Sequence, residues 1–269
     1  MSGVDTAALE ELAIEVAQEA GALLVGFAGQ RQAGGDLGVG VKSSVTDPVS
    51  EADRAAERLI AARVAAARPD DGLLGEEDQN PRQGTSGVRW VVDPLDGTVN
   101  FLYGRSAWCV SVACEDVDGP LVGVVHHPAL GETFHAVRGR GARLDGRRLA
   151  VTEVDDLGRT LVATGFSYDA DVRADQGHDL ADLVPRVRDV RRDGSAALDL
   201  AWCAAGRIDA YVEFGLAPWD WAAGALLVAE AGGRCSHHRR RLGGRWLLGL
   251  VAGGSAAHDG VAAWLAGRA

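Results

Sequence analysis

The feature of this 269-residue chain that most constrains its fold is the stretch "WVVDPLDGTVNF" at residues 90–101. Its apolar start predicts a buried strand, yet that strand ends in two aspartates three residues apart. Pro94 fixes φ between them, so Asp93 and Asp96 can aim at one point while the carbonyl of Leu95 turns inward as a further oxygen. A strand that only had to stop would need one turn residue. This ending therefore predicts a ligand site.

Three more acidic residues lie where predicted apolar elements begin or end. Glu76 and Glu77 come from "GEED", and Asp220 stands between two tryptophans at the head of an apolar helix. Each has an ordinary explanation by itself: Asp220 would cap the helix, and Asp96-Gly97 would form a turn. Several carboxylates near buried strand ends repel one another unless cations or protons compensate. Together they predict a cation site.

The residue types around this site indicate a hard cation next to an anion. Oxygen ligands with no His or Cys nearby favour Mg²⁺ over zinc. Gly97 lets the backbone approach a ligand, and the amides of Gly97 and Thr98 would be free donors if a helix starts there. An anion that needs both Mg²⁺ and backbone amides is most simply a phosphate.

Composition excludes several other classes of protein. The net charge of −11 argues against nucleic acid as a partner. The four cysteines form no CxxC pair and no zinc spacing, which is typical of buried thiols in a reducing compartment. The N-terminus carries acids where a signal peptide would carry bases, and no apolar stretch is expected to reach the roughly 18 residues of a membrane span. We expect a cytoplasmic protein with no membrane partner.

One basic stretch stands out against the acidic background. Arg234–Arg241 contains four arginines and two histidines, a set that could grip an anion. No aromatic residue interleaves them, and glycine pairs flank the stretch at both ends. It is interpreted as an exposed hairpin with a solvated polar face.

The hydrophobic periodicity predicts an α/β protein, an α+β layered sandwich of helices and mostly antiparallel mixed sheets. One catalytic domain, 1–269, would have halves of about 1–150 and 151–269. Predicted helices cover 6–29, the run from Ser50 to Pro69, 175–187, 195–205, 219–231 and the segment after His258. Predicted strands cover 73–74, 90–92, 107–114, 121–127, 133–137, 149–151, 160–164, 210–213 and the region 234–251.

Three motifs resemble the signatures of the inositol monophosphatase family. They are "GEED", "WVVDPLDGTVNF" and "WDWAAGALLVAEAGG" at residues 219–233. Lys42 with "TDPVSEAD" (46–53), the segment 123–151 and "GSAALDLAWCAAGRIDAYVE" (194–213) extend the resemblance over nearly the whole chain. The resemblance implies a fold like that of inositol monophosphatase and fructose bisphosphatase, a homodimer, and a Mg²⁺-dependent, lithium-sensitive phosphatase.

The resemblance also implies a set of metal ligands. Glu76, Asp93 and the Leu95 carbonyl would hold a first Mg²⁺. Asp93, Asp96 and Asp220 would hold a second, and a weaker third ion would lie near Glu76. Mn²⁺ would substitute for Mg²⁺, and Li⁺ or Ca²⁺ would inhibit.

Catalytic and phosphate-binding roles follow from the same resemblance. Thr98, paired with Asp47, would orient the attacking water and help to deprotonate it beside Glu76. Asp96 and the amides of Gly97 and Thr98 would bind the phosphate.

The substrate side is implied in the same way. Gly194, Ser195, Ala196 and Glu213 would line the alcohol side, next to Asp93 and Asp220. The carboxylate of Glu213 would accept hydrogen bonds from two vicinal hydroxyls and so select the substrate. Glu77 and Lys42 would support the ligands from behind.

The predicted function is hydrolysis of a phosphomonoester, with inositol 1-phosphate or a small range of sugar phosphates as substrate. Direct attack by water is expected, because Ser195 and Cys109 lack a nearby base. Histidinol phosphate, 3′-phosphoadenosine 5′-phosphate and fructose 1,6-bisphosphate are alternatives; against the nucleotide, the C-terminal half shows no aromatic-lined basic pocket. A non-enzymatic alternative is a Mg²⁺-binding or RNA-binding regulator.

Overall fold

Helices and sheets alternate in layers through the protein. The structure, a computed structural model, describes residues 4–32, 38–41, 48–49, 51–77 and 82–268. Within these ranges the chain forms a seven-stranded sheet, a five-stranded sheet and a separate pair of two-residue strands. The predicted α/β class with mostly antiparallel mixed sheets is confirmed. Lys42 and Asp47 lie outside the described residues.

The elements are as follows. The helices are α1 (Thr6–Gln32), α2 (Glu51–Ala67), α3 (Thr98–Leu102), α4 (Ala170–Leu183), α5 (Ala196–Ala204), α6 (Pro218–Glu230) and α7 (Ser255–Ala266). The first strands are β1 (Gly40–Val41), β2 (Pro48–Val49), β3 (Gly72–Gly75), β4 (Arg89–Asp96), β5 (Cys109–Asp116), β6 (Gly119–His127) and β7 (Glu132–Val137). The others are β8 (Gly141–Leu144), β9 (Arg147–Arg148), β10 (Leu161–Thr164), β11 (Asp189–Arg191), β12 (Ala210–Phe214), β13 (Arg234–Leu242) and β14 (Arg245–Gly253).

The seven-stranded sheet is covered on both faces. Its strands lie in the order β3-β4-β5-β6-β7-β8-β9, with β3 and β4 parallel and the later neighbours antiparallel. Helix α1 packs across β5, β6 and β7 on one face, and α6 packs across β4 to β7 on the other. Burial on both faces explains why β4 and β5 have nearly continuous apolar runs instead of alternation.

The five-stranded sheet completes the layers. Its order is β11-β10-β12-β14-β13, with β10 parallel to β11 and β12, and β14 antiparallel to β12 and β13. Helices α5 and α6 pack on each other and contact both sheets, while α4 and α7 cover the far face of this sheet. The layers therefore run from α1 and α2, through the first sheet, α5 and α6, and the second sheet, to α4 and α7.

Helix α1 corrects one expectation from the sequence. By length and composition alone, Thr6–Arg31 is long and apolar enough to cross a bilayer, and 33% of its most apolar window is buried inside the protein. The side chains of Leu9, Ala13, Val16 and Ala20 are fully buried between the first sheet and α2. These contacts explain why one face of the helix is apolar.

Several predicted boundaries also change. The strand predicted at 149–151 is wrong, because β9 occupies the two preceding residues. Helix α4 begins before residue 175, since the Asp169 side chain accepts hydrogen bonds from the amides of Asp171 and Val172 and caps the helix there. Strand β11 was missed because this short edge strand is polar and mostly exposed, without an apolar pattern.

The basic stretch forms the predicted hairpin, β13 and β14, but its side chains are less solvated than expected. Arg240 pairs with Asp179 on α4, and Arg234 pairs with Asp259 on α7. The Arg239 guanidinium lies 5.8 Å from the ring centre of Trp246 across the hairpin. Two of the four arginines are thus paired with acids, and Trp246 on the adjacent strand of the hairpin accompanies a third.

We expect Gly224→Ala to destabilise the protein by about 1–3 kcal/mol, because it overpacks the contact between α5 and α6. A Cβ at Gly224 would lie 2.5 Å from the Leu200 Cβ, which is fixed to the α5 backbone. Gly26→Ala in α1 is the matched control, since nothing lies within 4 Å of its added Cβ. That change should be neutral or stabilising by up to about 1 kcal/mol. Urea unfolding measures both, and equal stability of Gly224→Ala and wild type would contradict this packing.

Candidate active site

A β-bulge explains the two aspartates that end β4. Asp93 pairs with Ser111 and Asp96 pairs with Cys109, so three steps along β4 match two steps along β5. In a regular strand, residues three apart point to opposite faces; the extra residue brings both aspartates to the same face. Pro94 suits this position because a bulged residue needs no ladder N–H.

The predicted site residues meet in one cavity of about 480 Å³. Strands β4, β10 and β12 end at this cavity, and helices α3, α5 and α6 begin there. Its lining includes Glu76, Asp93, Leu95, Asp96, Gly97, Thr98, Gly194, Ser195, Ala196, Glu213 and Asp220. The fold therefore brings these residues together from five separate parts of the chain, while their individual roles stay predictions.

Each of the three aspartates is held by a neighbouring donor. Asp93 Oδ1 accepts the Leu95 amide at 2.9 Å, and Asp220 Oδ2 accepts the Ala217 amide at 2.7 Å. The second bond is a helix-capping contact at the start of α6, so Asp220 is both a cap and a cavity residue. Donors such as these fix where the carboxylates point.

Asp96 receives the strongest support of the three. Its Oδ2 accepts the Ser195 hydroxyl and the Ala197 amide, both at 2.7 Å. Ser195 is only 1% exposed, so its hydroxyl serves Asp96. Ser195 also lines the cavity, so its predicted place on the alcohol side stays a prediction. The first turn of α5 thereby anchors a residue of β4 across the cavity.

The electrostatics of the cavity are unfavourable for so many acids. Burial raises the pKa of Asp93 well above its ordinary range, and the charges of Glu76, Asp96 and Asp220 raise it further. Burial raises the pKa of Asp96 to about 6, although its hydrogen bonds lower it. The pKa of Asp220 is also raised well above its ordinary range, by burial and then by Asp96 and Glu76. Protons or cations would relieve this repulsion.

The donor chemistry fits a hard divalent cation. Among the described residues, those that line the cavity include no histidine or cysteine. Burial keeps the pKa of the nearby Cys109 thiol well above its ordinary value, so the thiol stays protonated and is a poor ligand. Within the described ranges, no three His, Cys, Asp or Glu side chains are arranged closely enough to hold a metal ion as they stand. The acids share a cavity in an open arrangement of oxygen donors.

The structure places the carboxylate of Asp53 beside Thr98. The predicted partner, Asp47, lies outside the described residues, so its pairing with Thr98 stays a prediction. The Thr98 hydroxyl lies 3.0 Å from Asp53 Oδ1 and 3.1 Å from the Leu95 carbonyl oxygen. Asp53 is fully buried on the face of α2 that also carries Ala56. This helical register was the available signal, because a carboxylate on an apolar helix face needs a partner inside the protein.

The two glutamates of "GEED" have different environments. The Glu76 amide donates to the Val92 carbonyl at 3.2 Å and so continues the pairing of β3 with β4. This places Glu76 beside Asp93 in the cavity. Glu77 does not line the cavity, and its amide donates to Glu57 Oε2 at 2.9 Å. A supporting role for Glu77 stays a prediction.

Gly97 is required where α3 begins. Its φ of 96° lies in the left-handed region, and an added Cβ would lie 2.8 Å from the Ala107 carbonyl oxygen. Helix α3 starts at Thr98, as the phosphate-binding prediction needs. The Asn100 side-chain amide then donates to the carbonyls of Ala107 and Asp193, each at 2.6 Å. Asn100 therefore ties α3 to the segment that leads into Gly194, a role that the sequence did not reveal.

The outer wall of the cavity contains residues that sequence reasoning missed. Phe166 and Tyr168 come from the loop after β10, Arg192 follows β11, and Arg245 begins β14. Arg245 forms an ion pair of 3.0 Å with Asp169 at the mouth. The expectation that the C-terminal half has no aromatic-lined basic pocket is therefore wrong. These residues come from connections between elements, where no periodic pattern marked them.

The fold and the cavity define a layered α/β protein with a buried site made of oxygen ligands. A family model described as the inositol monophosphatase family matches residues 5–266. The chain belongs to the inositol monophosphatase family.

Its relatives have two kinds of name. The chain is 43% identical over 272 residues to "Inositol-1-monophosphatase SuhB" of Mycobacterium tuberculosis strain H37Rv, covering 96% of this chain and 94% of the relative. It is 45% identical over 197 residues to "Nus factor SuhB" of Pseudomonas aeruginosa, covering 71% and 72%. The crystal structure of extragenic suppressor protein suhB from Bartonella henselae has a TM-score of 0.86 at 36% identity, covering 96% of this chain and 98% of that one.

We expect the metal-free protein to lose stability as the pH rises. Asp96 has a pKa of about 6 in the folded protein and about 3.9 in an unfolded chain. The folded state binds more protons between these values, so the free energy of unfolding falls as pH rises through them. Asp93→Asn should raise the melting temperature in EDTA at about pH 8 and flatten its pH dependence. The exposed Asp118→Asn is the control, and a melting temperature lowered by Asp93→Asn would contradict the repulsion.

Proposed function

We propose that the protein is a Mg²⁺-dependent phosphomonoester hydrolase that acts on myo-inositol monophosphate by in-line attack of water. The observation that carries the proposal is the meeting of Glu76, Asp93, Asp96 and Asp220 in one cavity, next to the start of α3 at Thr98. The name of the Mycobacterium tuberculosis relative supports inositol 1-phosphate as substrate. A homodimer in the cytoplasm, inhibited by Li⁺, remains part of the proposal.

Magnitudes support metal ions in this reaction. Hydrolysis of phosphate monoesters requires accelerations of up to about 10²¹-fold. A single general base supplies only about 10²–10⁴-fold. Two bound Mg²⁺ ions would activate water, neutralise phosphoryl oxygens and stabilise the leaving oxygen. Glu76, Asp93, the Leu95 carbonyl, Asp96 and Asp220 would hold them.

The Thr98 and Asp53 pair would accept the proton that the attacking water loses. The Thr98 hydroxyl donates to Asp53 Oδ1 and keeps lone pairs that can accept a proton from water. As the water proton passes to Thr98 Oγ1, the Thr98 proton would pass to Asp53. The first-turn amides at Gly97 and Thr98 would meanwhile hold the phosphate, because a helix start leaves such donors without an intrahelical partner.

Glu213 would bind the alcohol part of the substrate. It lies on β12 at the side of the cavity formed with Gly194 and Ala196. Burial raises the pKa of Glu213 to about 7, while a hydrogen bond from Tyr211 and the charge of Arg192 lower it. A carboxylate in this place can accept hydrogen bonds from two neighbouring hydroxyls, as a polyol phosphate offers.

A second candidate is a substrate with a second phosphate group. The outer wall favours it, since Arg192 and Arg245 stand beside Phe166 and Tyr168 on one cavity. Fructose 1,6-bisphosphate and 3′-phosphoadenosine 5′-phosphate fit that description, whereas histidinol phosphate lacks the second anion. Phosphate release from these three esters and from myo-inositol 1-phosphate, measured with Mg²⁺, ranks the candidates.

A regulatory role is the non-enzymatic alternative, which the name of the Pseudomonas relative keeps open. Arg239 stacked on Trp246 is the feature that favours RNA. The pairing of Arg234 and Arg240 with acidic partners weakens the basic surface. We therefore place hydrolysis first.

We expect Asp93→Asn to abolish hydrolysis of myo-inositol 1-phosphate, because this carboxylate would serve both ions. Mg²⁺ should raise the melting temperature of the wild type by binding only the folded state, and should have little effect on Asp93→Asn. Asp118→Asn is again the control, with wild-type behaviour in both assays. Near-normal turnover in Asp93→Asn would contradict the proposed metal site. A wild-type melting temperature that does not change with Mg²⁺ concentration would contradict it as well.

We expect Asp53→Asn to lower kcat by about 10²-fold or more, because it removes the proton acceptor behind Thr98. Asp47→Asn tests the pairing implied by the family resemblance and should have the smaller effect on kcat. Steady-state kinetics of both variants on one substrate measure the difference. A larger loss of kcat in Asp47→Asn would show that Asp47, and not Asp53, is the proton acceptor behind Thr98.

A further inference from the structure

The carboxylate of Glu213 is fixed by a buried phenol. Tyr211 and Glu213 lie two residues apart on β12 and therefore on the same face of the strand. The Tyr211 hydroxyl donates to Glu213 Oε2 at 2.7 Å. Tyr211 is fully buried between the two sheets. Because the ring is packed in the core, we expect core packing to set the direction of this hydrogen bond.

A second constraint on Glu213 comes from the neighbouring strand. Residues of β10 and β12 run parallel in register, and Gly165 follows the end of β10 beside Glu213. A Cβ built on Gly165 would overlap the Glu213 carboxylate. Glycine at this position therefore leaves the space that the carboxylate occupies. Gly165 thus leaves the space for the carboxylate, and the Tyr211 hydroxyl donates the hydrogen bond that orients it.

The hydrogen bond from Tyr211 persists over the working pH range. Burial, together with the charges of Glu213 and Asp199, raises the pKa of Tyr211 well above its ordinary value. The phenol therefore stays protonated and donates. Because it donates to Glu213 Oε2, it would leave Oε1 for substrate hydroxyls. Ordering the carboxylate before binding saves the entropy that the complex would otherwise lose.

We propose that Tyr211 is a positioning residue which sets the preference of this site for polyol phosphates by orienting Glu213. The inference rests on the proposed phosphatase function and on Glu213 as the residue that binds the alcohol. Tyr211 contacts no reacting atom in this account. It acts only through the carboxylate, and this distinguishes it from a residue that supports the site in general.

Two variants test the inference by different routes. Tyr211→Phe removes one hydroxyl and keeps the ring, while Gly165→Ala adds a methyl group that displaces the Glu213 carboxylate. Tyr103→Phe is the matched control, because Tyr103 is 77% exposed. Kinetics with Mg²⁺ compare myo-inositol 1-phosphate with 4-nitrophenyl phosphate, an ester without polyol hydroxyls.

We expect both test variants to raise KM for inositol phosphate by about tenfold, the loss of one hydrogen bond to a charged group. Their kcat values, and their kinetics on 4-nitrophenyl phosphate, should stay close to wild type. Glu213→Gln should show the same selective loss, and adding Tyr211→Phe to it should cost little more, because the two residues act as one unit.

Three outcomes would overturn the inference while leaving the phosphatase in place. They are equal losses on both esters in Tyr211→Phe, additive losses in the double variant, and an unchanged KM for inositol phosphate in Gly165→Ala. The Gly165→Ala result decides the matter if Tyr211→Phe melts below the assay temperature. If the wild type hydrolysed neither of the two esters, the proposed function would be overturned, and the inference with it.

Discussion

Repulsion among buried carboxylates is the constraint on which this site depends. Burial and mutual charge raise the pKa values of Asp93, Asp96 and Asp220 in one cavity. Such an arrangement costs stability and persists only if the surrounding structure holds it. Helix starts and backbone amides hold the aspartates in place. The proposed Mg²⁺ would offset the lost stability by binding the folded state.

The layered fold supplies the means of holding the acids together. The bulge in β4 turns two aspartates to one side, and α5 and α6 lie between the sheets with their first turns at the cavity. One of these helices anchors Asp96 through Ser195, and the other carries Asp220. The packing of α5 on α6 therefore sets distances in the site, and the second sheet adds Glu213 from β12.

The sequence could predict the layered class and nearly all the acids, because each acid ends an apolar run with a clear pattern. It could not assign partners across the fold. The resemblance named Asp47 as the partner of Thr98, whereas the contact between Thr98 and Asp53 depends on how α2 packs, which no local pattern shows. The wall formed by Phe166 and Arg192 comes from loops, whose geometry has no periodic signal. No local pattern could show that the Ser195 hydroxyl donates to Asp96, because the two residues are 99 positions apart.

The most direct test of the account is a crystal structure of the protein grown with Mn²⁺ in place of Mg²⁺, with anomalous diffraction to locate the ions. The account predicts anomalous peaks inside the cavity, coordinated by oxygens of Glu76, Asp93, Asp96 and Asp220. Well-ordered density for these side chains with no anomalous peak between them, at a Mn²⁺ concentration that supports turnover, would contradict it.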